Sequence, residues 1–244
     1  MAMSTDKETA TALPKMEGQR SLALVATGIN KYFYAPTKFQ ALKNISFSIE
    51  QGKFVSIVGK SGCGKSTLLY ILSTMDTDYE GIVHLNGIKV TGQPQDELAA
   101  FRNKHLGFVF QFHYLLPDFS CLKNIMIPAL RLGKYTYDEI EHKAYEKLAI
   151  LGVEDQALKP ASKISGGQQQ RVAIARALIN DPVIIIGDEP TGNLDSRNSA
   201  IVFDLLKKLS HDLGKTIITV THDNDFAKNS DYILELSDGA LLNN

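Results

Sequence analysis

Nine consecutive residues, Gly59-Lys60-Ser61-Gly62-Cys63-Gly64-Lys65-Ser66-Thr67, have the spacing G-x-x-x-x-G-K-[ST]. Glycines so placed let successive backbone N–H groups curl around phosphate oxygens, and a helix opening behind them adds its positive N-terminal end. Lys65 then reaches the outer phosphates, and the Ser66 hydroxyl suits Mg2+. The stretch also contains Gly62-x-Gly64. Thr67, however, stands where a dinucleotide fingerprint needs its third glycine, and Lys65-Ser66 points to a nucleoside triphosphate.

A second group of chemical residues ends an apolar run, Val183-Ile184-Ile185-Ile186-Gly187-Asp188-Glu189. Two acids at such an end place Asp188 where it can hold a magnesium shell and Glu189 where it can orient or deprotonate an attacking water. Gln111 closes another apolar run and His222 a third. Ligands of open α/β sheets gather at the carboxyl ends of the strands, so these four ends together supply phosphate donors, metal ligands, a base and a γ-phosphate contact. Ser165-Gly166-Gly167-Gln168 then opens a helical pattern, and a hydroxyl with bare N–H groups at a helix start makes a second anion site. One nucleotide needs only one phosphate device. Two in one chain predict a head-to-tail homodimer in which each nucleotide lies between one copy's phosphate loop and the other copy's helix start.

These groups need strands that end where the chemistry begins. Residues 54–58, 106–110, 183–186 and 216–221 are short β-branched or aromatic runs cut off by glycine or polar residues, which suits strands buried on both faces of a mixed or parallel sheet. Helical patterns at 66–73, 168–179 and 199–209 lie between them, giving an α/β order. Period-two alternation from Leu22, around Ile45, Phe47 and Ile49, and over residues 82–85 before an Asn86-Gly87 turn predicts antiparallel, half-exposed strands. Between about residues 93 and 163 helical patterning dominates, with Ile140, Ala144, Leu148 and Leu151 on one stripe, and this predicts a helical lobe inserted in the core.

Composition narrows the setting. The 244 residues carry 26 basic and 27 acidic side chains, a formal charge of −1, which argues against a nucleic-acid surface and against a disordered acidic chain. No apolar run approaches the ~18 residues that cross a bilayer. Residues 1–20 are polar, carry both signs of charge and lack a secretory pattern, so they are expected to form a disordered tail before a domain spanning about 21–240. Two cysteines, Cys63 and Cys121, make no disulfide framework and fit a reducing compartment.

In their order and identity these motifs resemble the ATP-binding subunits of ABC transporters over nearly all of residues 22–240. The resemblance implies a P-loop NTPase core of ABC type with an N-terminal antiparallel β subdomain and an inserted helical subdomain. It implies ATP as substrate, with Mg2+ held by Ser66, Gln111 and Asp188. Residues 59–67 correspond to the Walker A loop, Gln111 to the Q-loop, 164–168 to the signature motif and 184–189 to Walker B. Gly192-Asn193-Leu194-Asp195 matches the D-loop and His222 the switch histidine; Tyr32, with Tyr34 as the alternative, matches the aromatic that stacks on adenine. Ile164 stands for the usual Leu of the signature, and Gly187 for a more usual small or apolar residue before Asp188.

The stretches 106–119 and 188–195 resemble the subgroup that holds the lipoprotein-releasing, macrolide-exporting and cell-division ATPases, with residues 112–119 most like the lipoprotein-releasing kind. That implies a peripheral location on the cytoplasmic face of a bacterial inner membrane and separate integral membrane subunits. Five large apolar residues, Phe112, Tyr114, Leu115, Leu116 and Phe119, crowd eight positions after Gln111, and exposed apolar groups of this kind mark an interface, so the membrane subunits are expected to dock there.

Overall fold

The computed structural model describes residues 21–242, so the expected tail at 1–20 lies outside the described residues. The chain opens with two long strands, β1 (Leu22–Phe33) and β2 (Phe39–Glu50), paired antiparallel. It then enters the central sheet through β3 (Phe54–Val58) and leaves it through helix α1 (Lys65–Leu72). β4 (Glu80–Leu85) and β5 (Ile88–Lys89) return to the first sheet as a hairpin. Asn86 and Gly87 both take positive φ, 50° and 76°, the geometry that a two-residue I′ turn demands and that this dipeptide adopts with little strain.

Helix α2 (Gln95–His105) feeds directly into β6 (Leu106–Phe110). Helices α3 (Cys121–Leu132) and α4 (Tyr137–Ile150) follow, and two short 3-10 turns lead to α5 (Gly166–Leu178). β7 (Ile184–Asp188), α6 (Ser196–His211), β8 (Thr216–Val220), α7 (Asn224–Lys228), β9 (Tyr232–Ser237) and β10 (Ala240–Leu241) complete the chain. The strands form a four-stranded antiparallel sheet, β2-β1-β4-β5, and a six-stranded sheet, β10-β9-β3-β8-β7-β6, parallel except at its β9–β10 edge.

The central strands are buried on both faces, and alternate residues enter different cores. Ile184 and Ile186 of β7 and Ile218 of β8 pack with Leu68, Leu72 and the antiparallel sheet, whereas Ile185 and Ile217 pack with α3, α4, α5 and α6. A continuous apolar run thus serves two hydrophobic layers at once. Ile140, Ala144, Leu148 and Leu151, the stripe read from the sequence, are all buried against α3 and α5. Within residues 93–163, β6 belongs to the six-stranded sheet, so the helices that pack as a separate layer are α3 and α4, which begin only after Gln111.

The segment after β6 has little regular structure, yet it is fixed from beneath. Asn124 of α3 is wholly buried; its side-chain oxygen accepts from Leu116 N at 2.7 Å, and its amide donates to the carbonyls of Leu116, Phe119 and Ser120. That side chain adds to the backbone bonds of the segment, among them Phe119 N to the Leu116 carbonyl at 3.2 Å and Ala161 N to the Phe119 carbonyl at 2.9 Å.

Candidate active site

Strand β3 delivers the glycine-rich loop to the carboxyl edge of the sheet, and α1 begins at Lys65 with no acidic residue in its first turn. Two glycines are sterically required. A Cβ on Gly59 would overlap the Leu236 carbonyl and crowd the Cys63 sulfur; one on Gly64, at φ +105°, would lie 2.8 Å from the Ala41 carbonyl. The loop is therefore wedged against β9 and the start of β2. The Lys65 ammonium lies over it, donating to the carbonyls of Gly59 at 2.7 Å and Lys60 at 2.9 Å.

These groups open on a cavity of about 410 Å³. Gly59, Ser61, Gly62, Gly64, Lys65, Ser66 and Thr67 form one wall, and Asp188, Glu189 and His222 the facing one. Lys60 and Cys63 are not on the wall: Lys60 is exposed, and the Cys63 side chain is buried behind the loop. Asp188 ends β7 half-buried, and burial, aided by the charge of Glu189, pushes its carboxyl above the usual carboxylate range. A hard cation there would relieve both effects. Among the described residues no three His, Cys, Asp or Glu converge as a metal cage; the oxygen donors on the cavity are the hydroxyls of Ser61, Ser66 and Thr67 and the carboxylates of Asp188 and Glu189. That set fits Mg2+, which binds one or two protein oxygens together with phosphates and waters.

Glu189 has φ +48°, the left-handed region that a non-glycine residue occupies only when its surroundings hold it there. Its N–H donates to the Val220 carbonyl at 2.9 Å, and its own carbonyl accepts from Gly192 N at 3.0 Å. The turn aims the carboxylate at His222, whose Nδ1 lies 2.7 Å from Glu189 Oε1. A carboxylate only accepts, so the proton of this hydrogen bond belongs on Nδ1.

Other predicted residues lie off this cavity. The Gln111 amide donates to Asn193 Oδ1 at 3.1 Å, while Asn193 Nδ2 donates back to the Gln111 carbonyl at 3.0 Å, which joins the segment after β6 to the turn after β7. Ser165 caps α5 in a reciprocal box with Gln168, its N–H and hydroxyl donating to Gln168 Oε1 at 2.9 and 3.1 Å. Gly166 has open space where a Cβ would sit, whereas a Cβ on Gly167 would collide with Asn198 of α6. Asp195 caps α6, accepting from Asn198 N at 2.8 Å and Asn198 Nδ2 at 2.7 Å, bonds that hold its carboxyl below the usual range. The Ser165–Gln168 helix start thus abuts Asn198 at the start of α6, and neither lies on the lining of the phosphate-loop cavity.

The aromatic wall differs from expectation. Neither Tyr32 nor Tyr34 lines the cavity; Phe33 and Phe39 do. The reason is strand register: Phe33 and Phe39 are directly paired across β1 and β2, so they share a face, while Tyr32 pairs with Gln40 and falls on the alternate side. Tyr34 is past the end of β1 and 68% exposed. Sequence reasoning also missed Gln170 and Arg176 as residues that organise the site. An amide or guanidinium on an amphipathic helix carries no signal of which carbonyls it will meet.

With this geometry in hand, the comparisons with known proteins are specific. The profile of the ABC transporter family matches residues 42–192. The lipoprotein-releasing system ATP-binding protein LolD of Bacteroides fragilis is 46% identical over 215 residues, covering 88% of this chain and 98% of its own. That of Aquifex aeolicus is also 46% identical, over 84% of this chain and 90% of its own. The dimeric structure of MJ0796, a bacterial ABC transporter cassette, superposes with a TM-score of 0.82 at 40% identity, covering 90% of this chain and 96% of that one. The same cassette in a dimeric post-hydrolysis state bound to ADP and Pi gives the same score at 39% identity.

Proposed function

The chain belongs to the ABC transporter family as one of its ATP-binding cassettes, and from that premise we propose that two copies close head to tail around two Mg·ATP to power lipoprotein release from the inner membrane. The observation that carries the dimer is the separation within one chain: the phosphate loop, Asp188, Glu189 and His222 share one cavity, while Ser165, Gly166, Gly167, Gln168 and Asp195 lie off it. A second copy is what brings a signature helix to each phosphate loop. In that arrangement loop N–H groups and Lys65 hold the phosphates, and bound Mg2+ would neutralise charge between them from Ser66 and Asp188. Gln111 would join that shell through its amide oxygen, which the Nε2 bond to Asn193 does not use. Glu189 takes the proton of the attacking water, and His222 turns Nε2 toward the γ-phosphate.

Adenine stacks on the Phe33 and Phe39 face in this reading. Phe33→Ala should then raise the KM for ATP by about 5- to 150-fold, the worth of one base on one ring, while Tyr32→Ala shifts it less than about twofold. Steady-state kinetics on the two variants decide it, and the reverse order returns the role to Tyr32.

The membrane partner docks on residues 112–119 and the groove beside them. Phe112 and Tyr114 are 62% and 67% exposed, and Leu116 and Phe119 nearly half. The adjoining groove, about 390 Å³, carries Arg102, Arg131 and Arg176 among Met75, Phe108 and Phe110, with no acidic residue on its wall. It suits a short helix that is apolar with an acidic residue. Among the described residues no helix is long and apolar enough to cross a membrane, so the spanning part of the system is assigned to partner chains on whose cytoplasmic side this one sits. Co-purification from membranes, with identification of the partners, tests the reading. Two related membrane chains with large periplasmic domains are expected. A single kind of partner would transfer the function to drug export or cell division, and recovery with no membrane chain would leave a soluble ABC ATPase.

A further inference from the structure

Helix α5 does more than present Ser165 and two glycines. Five residues behind that cap, Gln170 is 1% exposed, and its side-chain amide donates to the carbonyls of Pro190 at 2.5 Å and Phe110 at 3.4 Å. Both neighbours are acceptors, which fixes the amide orientation: Nε2 faces them and Oε1 is left buried without a partner. The joined carbonyls are not arbitrary. Phe110 immediately precedes Gln111, and Pro190 immediately follows Glu189. Pro190 has no N–H, so its carbonyl is its only backbone polar handle, beside a residue whose left-handed conformation depends on such support. Farther along the same helix, Arg176 donates to the carbonyls of Tyr114 at 2.6 Å and His113 at 2.7 Å, gripping the segment on the far side of Gln111.

We propose that Gln170 is a positioning residue that holds Glu189 and Gln111 in one frame and couples that frame to the dimer-facing end of α5. A helix is stiff over five residues, so a shift of its Ser165 end on meeting the nucleotide held by the second copy moves Gln170 with it. The Pro190 and Phe110 carbonyls follow. Readiness of one cavity thereby depends on closure at the other. The inference rests on the composite-site reading of the preceding subsection.

Two variants test it in the full chain. Gln170→Glu keeps the length and loses the donor; Gln170→Met keeps the length and loses both polar ends. Steady-state hydrolysis should show kcat down about 10- to 100-fold, the scale of a misplaced catalytic group, with the KM for ATP within about twofold of wild type. The thermal midpoint of Gln170→Met should stay near that of wild type, because removal of an unpartnered buried oxygen offsets the lost bonds to the Pro190 and Phe110 carbonyls. Wild-type kcat in Gln170→Met, or kcat and KM moving together with a lowered midpoint, overturns the proposal. So does failure of Gln170→Met to fold, which would make the residue structural; if only Gln170→Glu fails to fold, Gln170→Met decides. Glu189→Gln run alongside separates the two levels: hydrolysis surviving that change defeats the site reading itself, whereas its loss with Gln170 variants unaffected defeats only the positioning role.

Discussion

Glu189→Gln abolishes turnover and leaves binding: kcat should fall by about 10²- to 10⁴-fold, the range of a lost general base, while ATP affinity stays within about threefold of wild type. The geometry makes this a clean substitution. Gln keeps the length of Glu, and its side-chain oxygen still accepts from His222 Nδ1, now 2.7 Å from Glu189 Oε1. The positive φ is set by main-chain bonds to Val220 and Gly192 that the change does not touch. What disappears is the charge and the basicity. The loss also removes one of the two causes that raise the Asp188 carboxyl, so that group ionises more readily, which favours a bound cation. ATP should therefore accumulate uncleaved, and with it the closed dimer. Sizing with ATP should show the dimer and, without it, the monomer. Monomer alone under both conditions would contradict the composite site, and persisting hydrolysis would remove Glu189 from the chemistry.

Much of this site was legible because its chemistry is local in sequence. The loop at 59–67 needs only glycines, a lysine and a hydroxyl between a strand and a helix, and 54–58 and 106–110 end as strands where their apolar runs stop. β7 was read two residues short, because Gly187 and Asp188 look like a stop, yet they continue the ladder opposite Val109 and Phe110. α3 escaped notice for a similar reason: Pro128 interrupts its pattern, but the helix runs through to Leu132 on an apolar face of Leu122, Ile125, Met126 and Ala129. β9 hides behind half-exposed residues at 232–237, although it supplies the Leu236 carbonyl that forces a glycine at position 59. What the sequence could not convey was parity and reach. Whether Tyr32 or Phe33 lines the cavity turns on a bulge between Lys31 and Tyr32, and whether Gln170 meets a carbonyl turns on the packing of α5 against β6 and the turn after β7.

Lys65→Ala should fail at the opposite step. Its ammonium is the one lysine head on the cavity wall, and its present partners are the carbonyls of Gly59 and Lys60, part of the loop that would face the phosphates. Exchanging those two carbonyls for phosphate oxygens replaces dipolar acceptors with charged ones. The gain for a hydrogen bond between charged groups is about 1.5–3 kcal/mol, or roughly a 10- to 100-fold weaker Kd once the ammonium is gone. The fold itself should hold: α1 is anchored by buried Leu68, Leu69, Ile71 and Leu72, and the loop by the contacts of Gly59 and Gly64. Calorimetric titration with ATP reads the affinity directly. A thermal melt gives an independent check, because a ligand stabilises by RT ln(1 + [L]/Kd), and the ATP-dependent rise in midpoint should shrink while the ligand-free midpoint stays put. Unchanged ATP affinity would withdraw Lys65 from the phosphates. Loss of the ligand-free midpoint would show instead that the lysine supports the loop. The contrast with Glu189→Gln is the sharper test of the whole site: one substitution should empty the cavity and keep the chain monomeric in ATP, and the other should fill it and lock the dimer, although the two side chains face each other across the same 410 Å³.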